Sequence, residues 1–128
     1  MDLVEQGGAF AAFWRERHLC TLSTARPGGP PHVTPVGATL DLPTGIARVI
    51  TSGSSAKARL IGAAGAPVAL CQVDGRRWST LEGMAVVRTE PDQVADAERR
   101  YAARYKPPRA NPSRVVIEIR VTRVLGNV

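Results

Sequence analysis

The hydrophobic period of the amino-acid sequence changes several times along the chain. Between Ala9 and Arg17, the residues Phe10, Phe13 and Trp14 stand at helical spacing, so a short amphipathic helix is predicted there. From Leu19 onward apolar and hydroxyl residues alternate with a period of two, which is typical of half-buried strands. The chain is therefore expected to pass from one short helix into an antiparallel sheet.

Six segments carry a strand pattern, and turns rich in glycine and proline separate most of them. These segments are LCTLSTAR, HVTPVGATLD, IARVIT, PVALCQV, WSTLEGMAVVR and SRVVIEIRVTRVLG. Pro35 in the second segment predicts an edge, a bulge or a ligand, because proline has no N–H to donate to a neighbouring strand. Gly83 in the fifth predicts a bulge or a close backbone approach. In the last segment, alternate residues from Val115 to Val121 are predicted to share one face.

Two further helices are predicted between the strands. Ser54 or Ser55 can cap a short helix that ends in the region from Gly62 to Gly65. Pro91 opens a second helix, whose acids lie in the first turn and whose arginines lie towards the last, as the helix dipole favours. Its predicted buried stripe consists of Val94, Ala97, Tyr101 and Tyr105.

The length and the strand order together predict the architecture. A chain of 128 residues has the size of a single domain, spanning residues 1–128. Six antiparallel strands hide their edges by closing, so the fold class predicted is mainly β, a small six-stranded barrel with short helices. Apolar residues remain on the second face of the last strand and along VALCQV. They predict a second buried surface, which a two-fold related copy would supply, and hence a homodimer.

Charge narrows the range of partners. The net charge of +6 and the isoelectric point near 10.3 indicate an acidic partner, which could be nucleic acid, a membrane surface or a polyanionic small molecule. Nucleic acid is disfavoured because the arginines are scattered and few aromatics are present to stack on bases.

With no signal-peptide pattern and no run of 18 apolar residues, a soluble cytoplasmic protein without a membrane partner is expected. The isolated Cys20 and Cys71 are expected to be buried thiols, with no metal site.

The stretch RVITSGSSAKARL, from Arg48 to Leu60, carries the first candidate chemistry. A strand ends in hydroxyl residues and a glycine, and a helix carrying Lys57 follows. Hydroxyls, free backbone N–H groups and one cation suit a phosphate, although a serine-capped helix with a solvated lysine accounts equally well for this segment alone. The order of residues in a nucleoside-triphosphate P-loop is absent.

The wider segment ARVITSGSSAKARLIGAAGAPVALCQVDGRRWSTLEGMAVV resembles the core of the pyridoxamine-phosphate-oxidase-like split β-barrel flavoproteins. The shared order is a strand, a Thr-Ser turn, a Ser-x-Lys helix, a strand, an arginine-containing turn and a strand with Glu-Gly. The likeness extends over nearly the whole chain, from ERHLCTLSTAR to SRVVIEIRVTRVLG. In detail the sequence is most similar to the actinobacterial members that use the deazaflavin coenzyme F420, of the small biliverdin-reductase type.

The resemblance implies a set of cofactor-binding residues. It makes the Thr-Ser turn and Lys57 a phosphate clamp, places the backbone of HVTPV along the ring system, and brings Trp78 to a cofactor held with the second subunit. Trp78 is as readily explained as a core or interface aromatic. The implied residues are His32, Val33, Thr34, Pro35, Val36, Arg48, Thr51, Ser52, Lys57, Ala58 and Trp78.

The function implied by the resemblance is hydride transfer from reduced F420 to a conjugated organic acceptor, most simply biliverdin to bilirubin. The alternatives are an FMN-dependent enzyme of the same fold and a protein that binds F420 or a tetrapyrrole without turnover. The Arg-x-His pattern near the C-terminus that marks vitamin B6 oxidases is absent. No catalytic residue is assigned, because His18, His32 and Glu82 are each explained by structural roles.

Overall fold

The computed structural model describes residues 1–128, and its secondary structure follows the periods of the sequence. The helices are α1 (Gly8–Arg15), α2 (Ala56–Ile61) and α3 (Pro91–Arg104), with a 3-10 turn at Val4–Gln6. The strands are β1 (Cys20–Thr24), β2 (His32–Val36), β3 (Ala38–Asp41), β4 (Ile46–Ser52), β5 (Ala66–Asp74), β6 (Arg77–Arg88) and β7 (Arg114–Asn127). The mainly β fold with short helices is confirmed. The predicted count of six strands is wrong, because there are seven.

The additional strand arises because the segment predicted as HVTPVGATLD divides at Gly37. β2 pairs with β1, whereas β3 pairs with β4, and the sheet order is β2-β1-β5-β6-β7-β4-β3. Two strands that are joined by a single residue therefore lie at opposite edges of one sheet. Since two residue steps span at most about 7 Å, the sheet must curl until its edges meet. The result is a half-barrel split between β2 and β3.

The C-terminal strand β7 lies inside the sheet and holds its two parts together. It pairs with β4 through residues 114–120 and with β6 through residues 116–127. The β6–β7 register shifts between Glu82 and Gly83, and a side chain at Gly83 would begin 2.2 Å from the Arg120 carbonyl oxygen. The predicted bulge at Gly83 is confirmed, and only glycine permits this approach of the two strands.

The hydrophobic core fills the concave side of the curled sheet. The alternate residues of β7 that were predicted to share a face, from Val115 to Val121, are all buried. Val116 points the other way but is also buried, in a part of the sheet against which α3 packs. Val116 is therefore covered within the single chain and does not need the predicted partner copy for its burial. The largest fully buried side chains include Phe13, Leu3, Leu22, Leu70, Leu81, Ile117 and Ile119.

The end of α3 is anchored to the chain by two side chains. Arg104 donates hydrogen bonds to the carbonyl oxygens of Glu16 (2.9 Å from Nε) and Ala38 (2.6 Å from Nη1). The Tyr105 hydroxyl donates to the His18 carbonyl oxygen at 2.7 Å and lies 3.1 Å from the Ala38 backbone nitrogen, which donates to it. These bonds fix the point at which the chain leaves α3.

The two cysteines differ in environment. Cys20 is buried in the core, and burial raises the pKa of its thiol to about 11. Cys71 is half-buried, and both thiols are free. No helix in the protein has the length and apolar character needed to cross a membrane.

Candidate functional site

A groove of about 570 Å³ opens where the two edges of the sheet meet. Its walls come from the end of β2, the end of β4, α2, the end of α3 and the segment that connects α3 to β7. The lining residues are Pro35, Val36, Gly37, Ile50, Thr51, Ser52, Lys57, Tyr101, Lys106, Pro107, Pro108, Arg109, Asn111 and Arg114. Five of them belong to the predicted set, namely Pro35, Val36, Thr51, Ser52 and Lys57.

Hydrogen bonds shape the turn between β4 and α2. Ser55 is the residue that caps α2, because its hydroxyl oxygen accepts a hydrogen bond from the Ala58 backbone N–H at 3.3 Å. The Thr51 hydroxyl donates to the same Ser55 oxygen at 3.1 Å. The turn is thus closed on itself, and it presents Thr51 and Ser52 to the groove in a fixed arrangement.

Lys57 is the cation that α2 brings to the groove. Its side chain is half-buried and has no carboxylate within ion-pair distance, and burial lowers its pKa from the ordinary lysine value. An ammonium group that is partly desolvated and unpaired gains most from an anionic ligand, because the ligand replaces the hydration that burial has removed.

The segment Lys106–Asn111, here called the strap, forms another wall of the groove. Asn111 donates from Nδ2 to the Ser52 hydroxyl oxygen at 3.0 Å, and its Oδ1 accepts from the Ser113 N–H at 3.0 Å. The Gly53 N–H donates to the Ser113 carbonyl oxygen at 2.9 Å. The strap is therefore bonded to the last residue of β4, and Ser113, just beyond the strap, is bonded to the turn that follows β4.

The sequence analysis assigned no role to the strap, whose sequence is KPPRAN. Its proline and basic composition is the one local signal that could have drawn attention to it. Its place in the groove depends on anchors distant in sequence, the Tyr105 hydroxyl at one end and the bond between Asn111 and Ser52 at the other.

Tyr101 lines the groove beside Gly37, and its ring packs against that of Tyr105. Their rings lie 4.9 Å apart between centroids. A Cβ at Gly37 would lie 2.8 Å from Tyr101 Cε2 and 3.3 Å from Tyr105 Cε2. The absence of a side chain at this junction of β2 and β3 therefore allows the two rings to pack under the split in the sheet.

The groove is strongly cationic. Its lining includes Lys57, Lys106, Arg109 and Arg114, and it includes no carboxylate. Arg114 is paired with Glu98, with Nη1 2.7 Å from Oε2, but no carboxylate lies within 4.0 Å of the other three cations. The electrostatics of this groove favour an anion over a cation or a neutral ligand.

The remaining six predicted residues do not line the groove. Arg48 approaches Asp96 of α3, with Nε 4.0 Å from Oδ2, and its Nη1 is buried without a hydrogen-bond partner. Ala58 is a buried residue of α2, and Trp78, at the start of β6, is 40% exposed beside Val73. His32, Val33 and Thr34 lie earlier on β2, with the Nδ1 of His32 buried and unpartnered.

A second group of possible ligands lies away from the groove. Glu16, His18 and Asp74 place one ligand atom each within 4.8 Å of one another. Arg77 donates to Glu16 at 2.9 Å and to Asp74 at 2.5 Å, so a cation already occupies this cluster. Hydrogen bonds from Arg77 and His18 lower the pKa of Glu16 to about 2. We interpret the cluster as an ion-pair network that joins the end of α1 to the β5–β6 turn.

The sheet order, the split between its edges and the cationic groove define a split-barrel protein, and comparison with known families agrees. Residues 7–127 match the family described as pyridoxamine 5'-phosphate oxidase, and the chain belongs to this family.

Among curated proteins, the chain is 55% identical over 116 residues to an F420H(2)-dependent biliverdin reductase of Mycobacterium tuberculosis. That match covers 91% of this chain and 84% of the relative. Among solved structures, the fold is similar to that of the conserved hypothetical protein Rv2991 from M. tuberculosis, with a TM-score of 0.79 at 24% identity, covering 98% of this chain and 86% of that one. It is also similar to a structure described as an F420 reductase, with a TM-score of 0.72 at 23% identity, covering 93% and 98% of the two chains.

Proposed function

We propose that this protein is an F420-dependent oxidoreductase that transfers a hydride from reduced coenzyme F420 to a conjugated organic acceptor, with biliverdin as the first candidate. The observation that carries the proposal is the 55% identity, over nearly the whole chain, to an F420H(2)-dependent biliverdin reductase. Identity at this level extends to the sites that define a reaction far more often than a shared fold does.

The groove supports this cofactor on physical grounds. Coenzyme F420 bears a phosphodiester and a polyglutamate tail, and the groove offers unpaired cations and no carboxylate. Lys57 and the hydroxyl of Ser52 are the groups that would hold the phosphodiester. The Ser52 oxygen already accepts from Asn111, which leaves its hydroxyl proton free to donate to a ligand.

The role of the other predicted β2 residues follows from the position of the strand. β2 is an edge strand, and Pro35 has no N–H, so this side of the sheet can face a flat ring without leaving a buried donor unpaired. We propose that His32–Val36 lie along the ring system, with Pro35 and Val36 at the groove itself. Arg48 and Ala58 would act at a distance, through Asp96 of α3 and the backbone of α2 respectively.

The chemistry supplied by bound reduced F420 is the donation of a hydride. The residues of this chain that line the groove include no carboxylic acid and no imidazole. We therefore assign them binding and orientation of the reactants, and proximity carries the rate.

We further propose that the protein acts as a homodimer in which Trp78 of one subunit contacts the cofactor of the other. Trp78, Val73 and Val33 are 40%, 63% and 58% exposed, and the pairing of β5 with β6 places Val73 directly beside Trp78. Exposed apolar residues concentrated on one sheet face favour burial against a second copy.

A turnover assay tests the function. Purified protein mixed with reduced F420 and biliverdin is expected to produce bilirubin and oxidised F420 together, at equal rates and above the protein-free control. Reduced FMN in place of reduced F420 serves as the matched control and is expected to give little product. If the protein binds F420 but forms no bilirubin, it is either an F420 carrier or a reductase of a different acceptor. A yellow protein purified with tightly bound FMN would contradict F420 as the cofactor.

A further inference from the structure

The strap carries two cations that the phosphate site at the β4–α2 turn does not require. Lys106 and Arg109 are exposed, line the groove and have no carboxylate within ion-pair distance. Together with Lys57 they give the groove three unpaired positive charges. A single phosphodiester carries one negative charge, so a ligand matched to this groove has a further anionic group on the strap side.

The strap is held in place before any ligand arrives. Tyr105, the residue before the strap, donates from its hydroxyl to the His18 carbonyl oxygen. Asn111, the last residue of the strap, donates to the Ser52 hydroxyl oxygen. Pro107 and Pro108 restrict the backbone between these anchors, because each proline fixes its own φ and limits the residue before it. Binding to a segment that is already ordered costs less conformational entropy than binding to a free loop.

We propose that Lys106 and Arg109 are specificity-determining residues, and that they bind an anionic group beyond the phosphate held by Lys57 and Ser52. This inference rests on the proposed function and names the part of the cofactor concerned, the carboxylates that follow the phosphodiester. FMN ends at its phosphate and has no group to reach the strap. The strap therefore gives the protein a means to prefer F420 over FMN, although both cofactors present a phosphate to Lys57.

The test compares dissociation constants, measured by calorimetry, for F420 with its polyglutamate tail and for FMN. Lys106→Ala/Arg109→Ala is expected to weaken F420 binding roughly 3- to 30-fold, the effect of two exposed ion pairs, and to change FMN binding less than about twofold. Lys57→Ala should weaken both ligands. Arg15→Ala/Arg26→Ala removes the same charge from exposed arginines outside the groove and should change neither. Binding of F420 to the wild type should also depend more steeply on salt concentration than binding to the strap variant.

The outcomes separate the two proposals. Two results would show that the specificity role is wrong while the proposed function stands, provided that the wild type binds F420. In one, the strap variant loses affinity for F420 and FMN by the same factor; in the other, it keeps its affinity for both. If the wild type does not bind F420, both fail. Should the alanine variant have a lower melting temperature than the wild type, Lys106→Gln/Arg109→Gln keeps the aliphatic stems, and the same ratio of affinities decides.

Discussion

Lys57 combines partial burial with the absence of an ion-pair partner, and this combination makes it the residue most dependent on a ligand. Lys57→Ala is expected to reduce F420 affinity by about 1.5 to 3 kcal/mol, the contribution of a charge-assisted hydrogen bond. Arg59→Ala is the matched control, because Arg59 lies on the same helix, is exposed and does not line the groove. The affinities are measured by calorimetric titration. An equal loss of F420 affinity in both variants would show that the net charge of the protein, rather than a contact between Lys57 and the phosphate, causes the effect.

The pH dependence of F420 binding is expected to reflect the protonation of Lys57. The ammonium form of Lys57 binds the anion, and burial lowers its pKa below 10.5. F420 affinity should therefore be full at neutral pH and fall as the pH rises through that lowered pKa. Lys57→Arg should remove this fall, since a guanidinium stays protonated throughout the range. An affinity profile that does not change in the arginine variant would assign the titration to another group.

Gly37 has a specific steric role at the junction of β2 and β3. Gly37→Ala would place a Cβ 2.8 Å from the ring of Tyr101, which cannot move away freely because it packs against Tyr105. We expect a loss of about 1 to 3 kcal/mol in the free energy of unfolding, measured by urea denaturation. Gly29→Ala is the control, because its Cβ would meet only the side chain of Arg26 at 3.5 Å. Equal stability of the two variants would contradict the packing role.

At the residue scale, the sequence predicted the part of the site that lies within one short segment of the chain. Thr51, Ser52 and Lys57 follow one another along a single turn, and the structure brings them to one groove. Arg48 was predicted by its place on the strand before that turn, but it faces Asp96 of α3. Which helix covers a given strand face depends on contacts distant in sequence, and a hydrophobic pattern does not encode them.

At the scale of elements, α2 has only six residues, so its cap is a large part of its stability. Either Ser54 or Ser55 could cap it on sequence grounds, and the structure selects Ser55, whose hydroxyl accepts from the Ala58 N–H. Ser55→Ala should destabilise the protein by about 1 kcal/mol and weaken phosphate binding by freeing Thr51. Ser54→Ala, at an exposed neighbouring position, should leave the thermal midpoint unchanged. The reverse order of effects would assign the cap to Ser54.

The elements also show where the sequence pattern is insufficient. Strand alternation continues through HVTPVGATLD, so nothing in the local pattern marks the change from one sheet edge to the other at Gly37. The strap has no secondary structure and hence no period, and its position depends on Tyr105 and Asn111. Both features concern which segments become neighbours, and both lie at the groove.

At the scale of the whole molecule, the predicted dimer depends on the exposed apolar residues Val33, Val73 and Trp78. Val73→Asp should give a monomer in sedimentation velocity, because it places a charge in the proposed interface without disturbing a buried contact. Val4→Asp changes a similarly exposed valine in the N-terminal 3-10 turn and should leave the dimer intact. A monomeric wild type, or a dimeric Val73→Asp variant, would contradict the interface.

The position of β7 has a consequence for how the protein is made. β7 lies between β6 and β4, so the first 113 residues can form only two separate groups of strands, β2-β1-β5-β6 and β4-β3. On the ribosome these groups must wait for the last strand to emerge before the sheet can join. The groove lies between these two groups of strands, because one of its walls comes from β2 and another from β4. Cofactor loading is therefore expected to follow the emergence of β7, and a nascent chain stalled before β7 should bind no F420.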